Sequence, residues 1–336
     1  MIAANKSVIL RVENLKKYFP IRRGIFSRVV NHKRAVDDVS FVVYEQETLG
    51  LVGESGCGKT TIGRTILRLY EPTAGRVFFG ERNLLEQSGE ELRRLRRQMQ
   101  MVFQDPYGSL NPRMTVRAIV EEPLIIHGTL TPRERLERVC ATLAEVGLGQ
   151  DALNRYPHEF SGGQRQRISL ARALVLQPKF LVLDEPLSAL DVSIQAKIIN
   201  LLVDLRAKKQ LSYLFISHDL SVVEYLSDRV AVMYLGQIVE LAPAREIYSR
   251  PLHPYTQALL SAVPSINPGA KRNRIILEGE VPSPINPPPG CRFHPRCWLR
   301  RPVCTRLEPR RLNLDGHEVT CHAVEKKFFG TGEYEP

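Results

Sequence analysis

The sequence predicts an α/β protein followed by a small cysteine-containing extension. Three observations carry this. Short apolar runs of strand character alternate with helical stretches, the pattern of strands packed under helices. One strand-to-helix junction, "LGLVGESGCGKTT", has the glycines and lysine of a phosphate loop. After about residue 250 proline becomes frequent ("VPSPINPPPG") and helical periodicity largely stops, while four of the six cysteines fall there.

In chain order, "VILRVENL", "RAVDDVSFVVY" and "ETLGLVG" read as strands, alternating or running apolar with β-branched residues. The basic stretch "PIRRGIFSRVVNHKR" (20–34) between the first two reads as a loop. Residues 59–69 read as a helix, and 86–100 as a charged, exposed one. Residues 131–147 have a proline near the start and a glycine at the end, the usual punctuation of a helix. From 160 to 240 the alternation resumes, with "FLVLDEP", "YLFISHD" and "RVAVMYLGQIVEL" as strands.

Length and composition fit one large domain plus an appendage: 336 residues, 43% hydrophobic and 25% charged. No apolar run approaches the roughly 18 residues that span a bilayer. The stretch "MIAANKSVILRVENLKKYF" has no apolar core behind a basic start, so no secretory signal is expected and the cytoplasm is the expected location. The net charge of +11 suits a polyanionic partner (nucleotide phosphates, nucleic acid or an anionic membrane leaflet) or simply an arginine-rich soluble surface.

The phosphate loop is Gly53-x4-Gly58-Lys59-Thr60, with Ser55, Gly56 and Thr61 within or beside it. Glycines let the backbone turn its N–H groups toward phosphate oxygens, and the following helix presents its N-terminus to the same anion. Lys59 reaches the terminal phosphates and the Thr60 hydroxyl suits Mg²⁺. The alternative is a structural glycine turn, which the flanking strand and helix disfavour. In "FLVLDEP", Asp184 ends an apolar strand where a carboxylate holds Mg²⁺, and Glu185 follows as a candidate general base. Alone, that pair would read as strand-end capping. In "FSGGQRQRISLARAL", Ser161, Gly162, Gly163 and Gln164 open a helix with a serine cap, a second site suited to phosphate.

These motifs, with Gln104 in "VFQDP", "SALD" (188–191) and His218 in "SHD", stand in the order found in the nucleotide-binding domain of ABC transporters, which this chain resembles. The resemblance implies a P-loop ATPase core: a mixed sheet with a RecA-like subdomain, an antiparallel β subdomain and a helical signature subdomain. It implies a nucleotide-binding domain over residues 1–250, its helical part at about 86–165, and an extension over 251–336. It also assigns roles. Tyr18 stacks on adenine, with an ordinary packed tyrosine as the alternative. Gln104 contacts Mg²⁺ and water, His218 holds the γ-phosphate and orients Glu185, and Asp191 communicates across a dimer interface. Ser161, Gly162, Gly163 and Gln164 complete the ATP site of a partner rather than their own. Two such ATPases therefore close head to tail, this chain pairing with itself or with a second homologous subunit.

"GLVGESGCGKTT", "VFQDPYGSLNPRMTV" and "LHPYTQALLSAVP" narrow the likeness to ATPase subunits of bacterial oligopeptide and dipeptide importers. "HKRAVDDVSF" and the basic 20–34 stretch lean toward the second of the two ATPases of such systems. The implied partners are two membrane-spanning permease subunits and, through them, an extracytoplasmic substrate-binding protein. The implied place is the cytoplasmic face of the inner membrane, as a peripheral subunit. Importers for nickel or another solute share similar ATPases and stay open. A soluble ABC-type ATPase acting on nucleic acid or ribosomes would show two fused cassettes or a long coiled-coil insertion. Neither is present, so no nucleic acid is expected. A non-enzymatic binder is disfavoured by the intact Glu185 and His218.

The cysteines Cys291-x5-Cys297-x6-Cys304-x16-Cys321 lack the tight pairs of structural zinc sites. Four thiolates suffice for a [4Fe–4S] cluster, which is also what the resemblance implies; Zn²⁺ is the alternative and disulfides a distant third. A metal centre would stabilise a proline-rich segment with few core-sized apolar blocks. His294, His317 and His322 nearby read as surface histidines, and Cys57 and Cys140 as small packed residues.

Overall fold

The computed structural model describes residues 7–24, 27–128, 130–263 and 274–329. The outer ends of both expected domain ranges, and residues 25–26 in the basic stretch, lie outside the described residues. The first elements are β1 (Val8–Arg23), β2 (Arg28–Tyr44), β3 (Thr48–Val52), α1 (Lys59–Ile66), β4 (Ala74–Phe79) and β5 (Arg82–Asn83). Then come α2 (Gly89–Arg96), β6 (Met99–Val102), α3 (Pro106–Ser109), α4 (Val116–His127), α5 (Pro132–Glu145), α6 (Gly162–Leu174), β7 (Phe180–Asp184), α7 (Val192–Lys209) and β8 (Ser212–Ile216). The remainder is α8 (Leu220–Leu226), β9 (Arg229–Tyr234), β10 (Gln237–Pro243), α9 (Ala244–Ser249), α10 (Pro254–Ser261), β11 (Arg311–Leu314), β12 (His317–Thr320) and α11 (His322–Phe329).

The chain divides into two compact units. The first holds residues 1–11, 42–48 and 77–217. Its strands β6, β7 and β8 are parallel neighbours, with Val102 beside Leu183 and Asp184 beside Ile216. Strands β7 and β8 are buried along their whole length, which is why they read as unbroken apolar runs. Helices α4, α5 and α6 pack on one another. Helix α5 starts with a capping box: Thr131 Oγ1 accepts from the Glu134 N–H, and the Glu134 carboxylate accepts from the Thr131 N–H.

The second unit holds residues 12–41, 49–76 and 218–336. Here β3 pairs in parallel with β9, β9 pairs antiparallel with β10, β10 with β12, and β12 with β11. Parallel and antiparallel pairs make this a mixed sheet. The cysteine-bearing tail thus adds two strands to a sheet that begins at the phosphate loop. A small core of Val319, Cys321 and Val324, with Leu252, Leu312 and Leu314 against it, lies under those strands.

The described residues of the basic 20–34 stretch are mostly strand rather than loop: β1 continues to Arg23 and β2 begins at Arg28. Its alternation is hidden because neither face of that part is buried. The charged helix expected over 86–100 ends at Arg96, and Met99–Val102 form β6. His317 and His322 are buried, not on the surface. His317 Nε2 lies 2.6 Å from Glu240 Oε1, and His322 Nε2 lies 2.9 Å from the Leu307 carbonyl.

Candidate ATP site

In the second unit, the buried strand β3 delivers the chain to Gly53, and Gly58 caps α1. Both glycines are required by contact. A Cβ on Gly53 (φ 152°) would stand 2.1 Å from the Met233 carbonyl oxygen, and one on Gly58 (φ 116°) 2.1 Å from that of Ala35. Ser55 and Gly56 are exposed at the loop tip. Lys59 begins α1, and its ammonium donates to the carbonyls of Gly53 (2.8 Å) and Glu54 (3.0 Å), bridging the mouth of the loop. Thr60 and Thr61 follow in the first turn of α1, half-buried, and that turn carries no acidic side chain to repel an anion. Cys57 is buried, and burial raises its thiol pKa despite the nearby Lys59.

Tyr18 on β1 belongs to the same unit and is half-buried. Its N–H donates to Thr73 Oγ1 at 2.9 Å, and its hydroxyl donates to Asp37. Burial and that carboxylate push the phenol up to about 12, so it stays protonated at neutral pH. Burial works to raise Asp37, but hydrogen bonds from Tyr18 and Arg292 outweigh it and hold the carboxyl below its ordinary range. His218 is exposed just before Asp219, which caps α8 by accepting from the Ser221 and Val222 N–H groups.

In the first unit, β7 ends at Asp184, fully buried, and Glu185 turns out of the strand at φ 44°. The Glu185 N–H donates to the Ile216 carbonyl at 3.0 Å, which fixes the turn. Gln104 follows the neighbouring strand β6, and its Nε2 donates to Glu185 Oε2 at 2.9 Å. An amide and a carboxylate thus meet beyond the carboxyl ends of two adjacent parallel strands, the edge where open α/β sheets bind ligands.

The signature stretch opens α6 with a capping box. Ser161 Oγ accepts from the Gln164 N–H (3.4 Å), and Gln164 Oε1 accepts from the Ser161 N–H (3.0 Å). Gly163 is buried because α7 passes close: a Cβ there would lie 2.4 Å from Ile194 Cγ2. Ile194 belongs to the turn capped by Asp191, whose carboxylate accepts from the Ile194 N–H at 3.0 Å. That N–H, with the Ser193 hydroxyl, holds Asp191 below its ordinary range. The glycine of the signature and the aspartate of "SALD" therefore share one packed turn.

The four tail cysteines are free thiols. Cys291, Cys297 and Cys321 are raised chiefly by burial, with neighbouring tail thiols adding to it; Cys291 reaches about 12 and Cys297 about 11. The Cys291 N–H donates to the Cys304 carbonyl at 2.9 Å. Among the described residues, no group of three or more His, Cys, Asp or Glu side chains is arranged to hold a metal ion. Sequence reasoning missed Asp37, which binds Tyr18; Tyr255 and Arg296, which bind Glu54 of the phosphate loop; and Arg292, which binds Asp37. No local signal marks them, because the partners of Arg292 and Arg296 lie 57 or more residues back in the chain.

These parts define an ATP-binding cassette, and residues 36–188 match the family model described as ABC transporter. The chain also matches, at residues 239–304, the family model of the oligopeptide/dipeptide transporter C-terminal region. It is 55% identical over 326 residues to the oligopeptide transport ATP-binding protein AppF of Bacillus subtilis, covering 96% of this chain and 99% of that protein. It is 49% identical over 320 residues to the dipeptide transport ATP-binding protein DppF of Escherichia coli, covering 95% of each. The chain therefore belongs to the ABC transporter ATPases, in the branch of the peptide-transport ATP-binding proteins. Among solved structures it resembles the ATP-binding cassette MJ0796, a dimer bound to ADP and Pi, with a TM-score of 0.62 and 28% identity over 70% of this chain and 99% of that one. It equally resembles cbiO1 of Clostridium perfringens, with a TM-score of 0.62 and 26% identity over 73% of this chain and 92% of that one.

Proposed function

We propose that this chain is the ATP-hydrolysing subunit of a peptide importer, driving uptake of dipeptides or oligopeptides. The observation that carries the chemistry is the hydrogen bond from Gln104 to Glu185 beyond the ends of β6 and β7. The match of residues 239–304 carries the peptide assignment. In this reading the chain is a peripheral subunit on the cytoplasmic face of the inner membrane. It dimerises head to tail with a copy of itself or a homologous ATPase and drives two permease subunits, which a substrate-binding protein supplies. No helix among the described residues is long and apolar enough to cross a membrane; in the proposed reading the permease subunits supply the path for solute.

Gly53, Ser55, Gly56, Gly58 and Lys59 bind the phosphates, and Tyr18 carries the adenine. The hydroxyl of Thr60, the carboxylate of Asp184 and the amide oxygen of Gln104 are hard oxygen donors that suit Mg²⁺ and would hold it. Bound there, Mg²⁺ neutralises phosphate charge. Glu185 takes the proton of the attacking water while Gln104 orients it, and His218 supports the γ-phosphate. Ser161, Gly162, Gly163 and Gln164 close over the partner's nucleotide, and Asp191 couples the two sites. Glu185→Gln is expected to slow phosphate release from Mg-ATP by about 10²- to 10⁴-fold and to accumulate an ATP-bound dimer. Undiminished turnover would remove Glu185 from the role of base.

The nucleotide-binding domain is taken as residues 1–250, with its helical part at about 86–165 and the extension at 251–336. For the extension we propose that Cys291, Cys297, Cys304 and Cys321 gather a [4Fe–4S] cluster, with Zn²⁺ as the alternative. Four cysteine thiols in one segment, enough donors for such a cluster, support this. Among the described residues no ready ligand group is formed, so loading would require the thiols to rearrange and to give up their protons. Anaerobic purification with iron and zinc analysis decides. About four irons per chain and a brown colour support the cluster; one zinc in colourless protein selects the alternative.

A further inference from the structure

The cysteine segment reaches the nucleotide loop through side chains. Arg296, next to Cys297, donates to both carboxylate oxygens of Glu54, at 2.9 Å to Oε2 and 3.2 Å to Oε1. Glu54 is the second residue of the phosphate loop. Its N–H donates to the Tyr255 hydroxyl at 2.9 Å, and its carbonyl accepts from Lys59. Phe293 packs on Tyr234 and Tyr255, with ring centroids 5.2 and 5.4 Å apart. On its other side Arg292, buried, donates to Asp37 and to the Leu235 carbonyl (2.6 Å). Leu235 and Gly236 form the turn between β9 and β10, and the Gly236 N–H donates to the Cys57 carbonyl at 2.9 Å.

We propose that Arg296 is a positioning residue for ATP: it fixes the phosphate loop through Glu54, so nucleotide affinity depends on the cysteine segment. A two-pronged guanidinium contact sets the orientation of a carboxylate as well as its distance. With the Glu54 side chain clamped and its N–H held by Tyr255, its carbonyl has a fixed place, and that carbonyl is what Lys59 binds. A lysine in place of Arg296 keeps the charge and loses the fork. Arg292 steadies the far side of the loop through Gly236 and Cys57.

The inference rests on the reading of residues 53–60 as the nucleotide loop, and the test separates the two. The full-length chain is titrated with a fluorescent ATP analogue and with tripolyphosphate, each with Mg²⁺, alongside melting curves with and without nucleotide. Arg296→Ala is expected to weaken both ligands by about tenfold, because the lost contact acts at the phosphates. Arg296→Lys is expected to weaken both about threefold, with the nucleotide-induced rise in Tm reduced more than the Tm of the free protein. Unchanged affinity in these variants while Lys59→Ala loses binding overturns the inference and leaves the loop assignment standing. A loss confined to the ATP analogue also overturns it. Full binding by Lys59→Ala overturns the loop assignment and the inference with it. If Arg296→Ala does not fold, Glu54→Gln, which breaks the same contact from the other side, is held to the same outcomes.

Discussion

The phosphate loop and the cysteine segment are two irregular stretches of the same unit, and they are held in place in opposite ways. The loop is fixed by what its residues lack. Gly53 and Gly58 have no Cβ where the Met233 and Ala35 carbonyls come within 2.1 Å of the space it would fill. The tail is fixed by what its residues carry. Arg292, Phe293 and Arg296 reach back to residues 37, 54, 234, 235 and 255, and His317 meets Glu240 beneath the added strands. A site made by backbone geometry can be specified by a few consecutive residues. One made by long side chains is specified by positions scattered across the chain.

That contrast can be broken most severely at Gly58. Gly58→Ala is expected to abolish Mg-ATP binding, since the loop must move off the Ala35 carbonyl. Gly56→Ala meets open space, and its left-handed backbone costs about 1–2 kcal/mol, a partial loss of affinity at most. Equal losses in a nucleotide titration would mean that contact does not fix the loop.

The tail should fail through a buried acceptor instead. Glu240 accepts from the N–H groups of Leu252 (2.7 Å) and His253 (3.0 Å) and meets His317. Glu240→Ala strands one buried and one half-buried N–H donor and is expected to cost about 3 kcal/mol in a denaturant titration. A loss below about 1 kcal/mol would show that the strands hold the tail without it.

A smaller effect is set by pH. Burial pushes His253 down to about 4, with Glu240 acting the other way, and neutral Nδ1 accepts from the Tyr255 N–H to cap α10. The unfolded chain binds this proton near pH 6.5, the folded chain only near 4, so stability is full above about 6.5 and falls as pH drops toward 4. The loss is up to about 3 kcal/mol. His253→Asn keeps a cap and should flatten the melting profile between about pH 6.5 and 5. An unchanged slope would assign the titration to other groups.

The same contrast explains what the sequence disclosed. The spacing of Gly53, Gly58, Lys59 and Thr60 is itself the structure of the loop, so the loop was legible. So were the buried strands β7 and β8, whose short apolar runs fit strands buried on both faces. The end of β1 and start of β2 were not, because exposed basic strand ends have no buried face to mark their period. Met99–Val102 were absorbed into the preceding charged helix, since four residues are too few to display a period. Arg292 and Arg296 read as ordinary basic residues, because their partners lie far back in the chain and pairing at that distance has no local pattern.

The added strands also set the order in which the molecule can be completed. Strand β10 pairs with β9 on one side, and on the other with β12, which is synthesised much later. Until the ribosome has released His317–Thr320, the nascent sheet presents the unpaired backbone of β10 as an open edge, a template for foreign strands. The final portion of the chain is thus the seal on a sheet whose phosphate loop was made long before. A shortened product lacking those four residues would carry every ATP-binding motif and still be prone to aggregate.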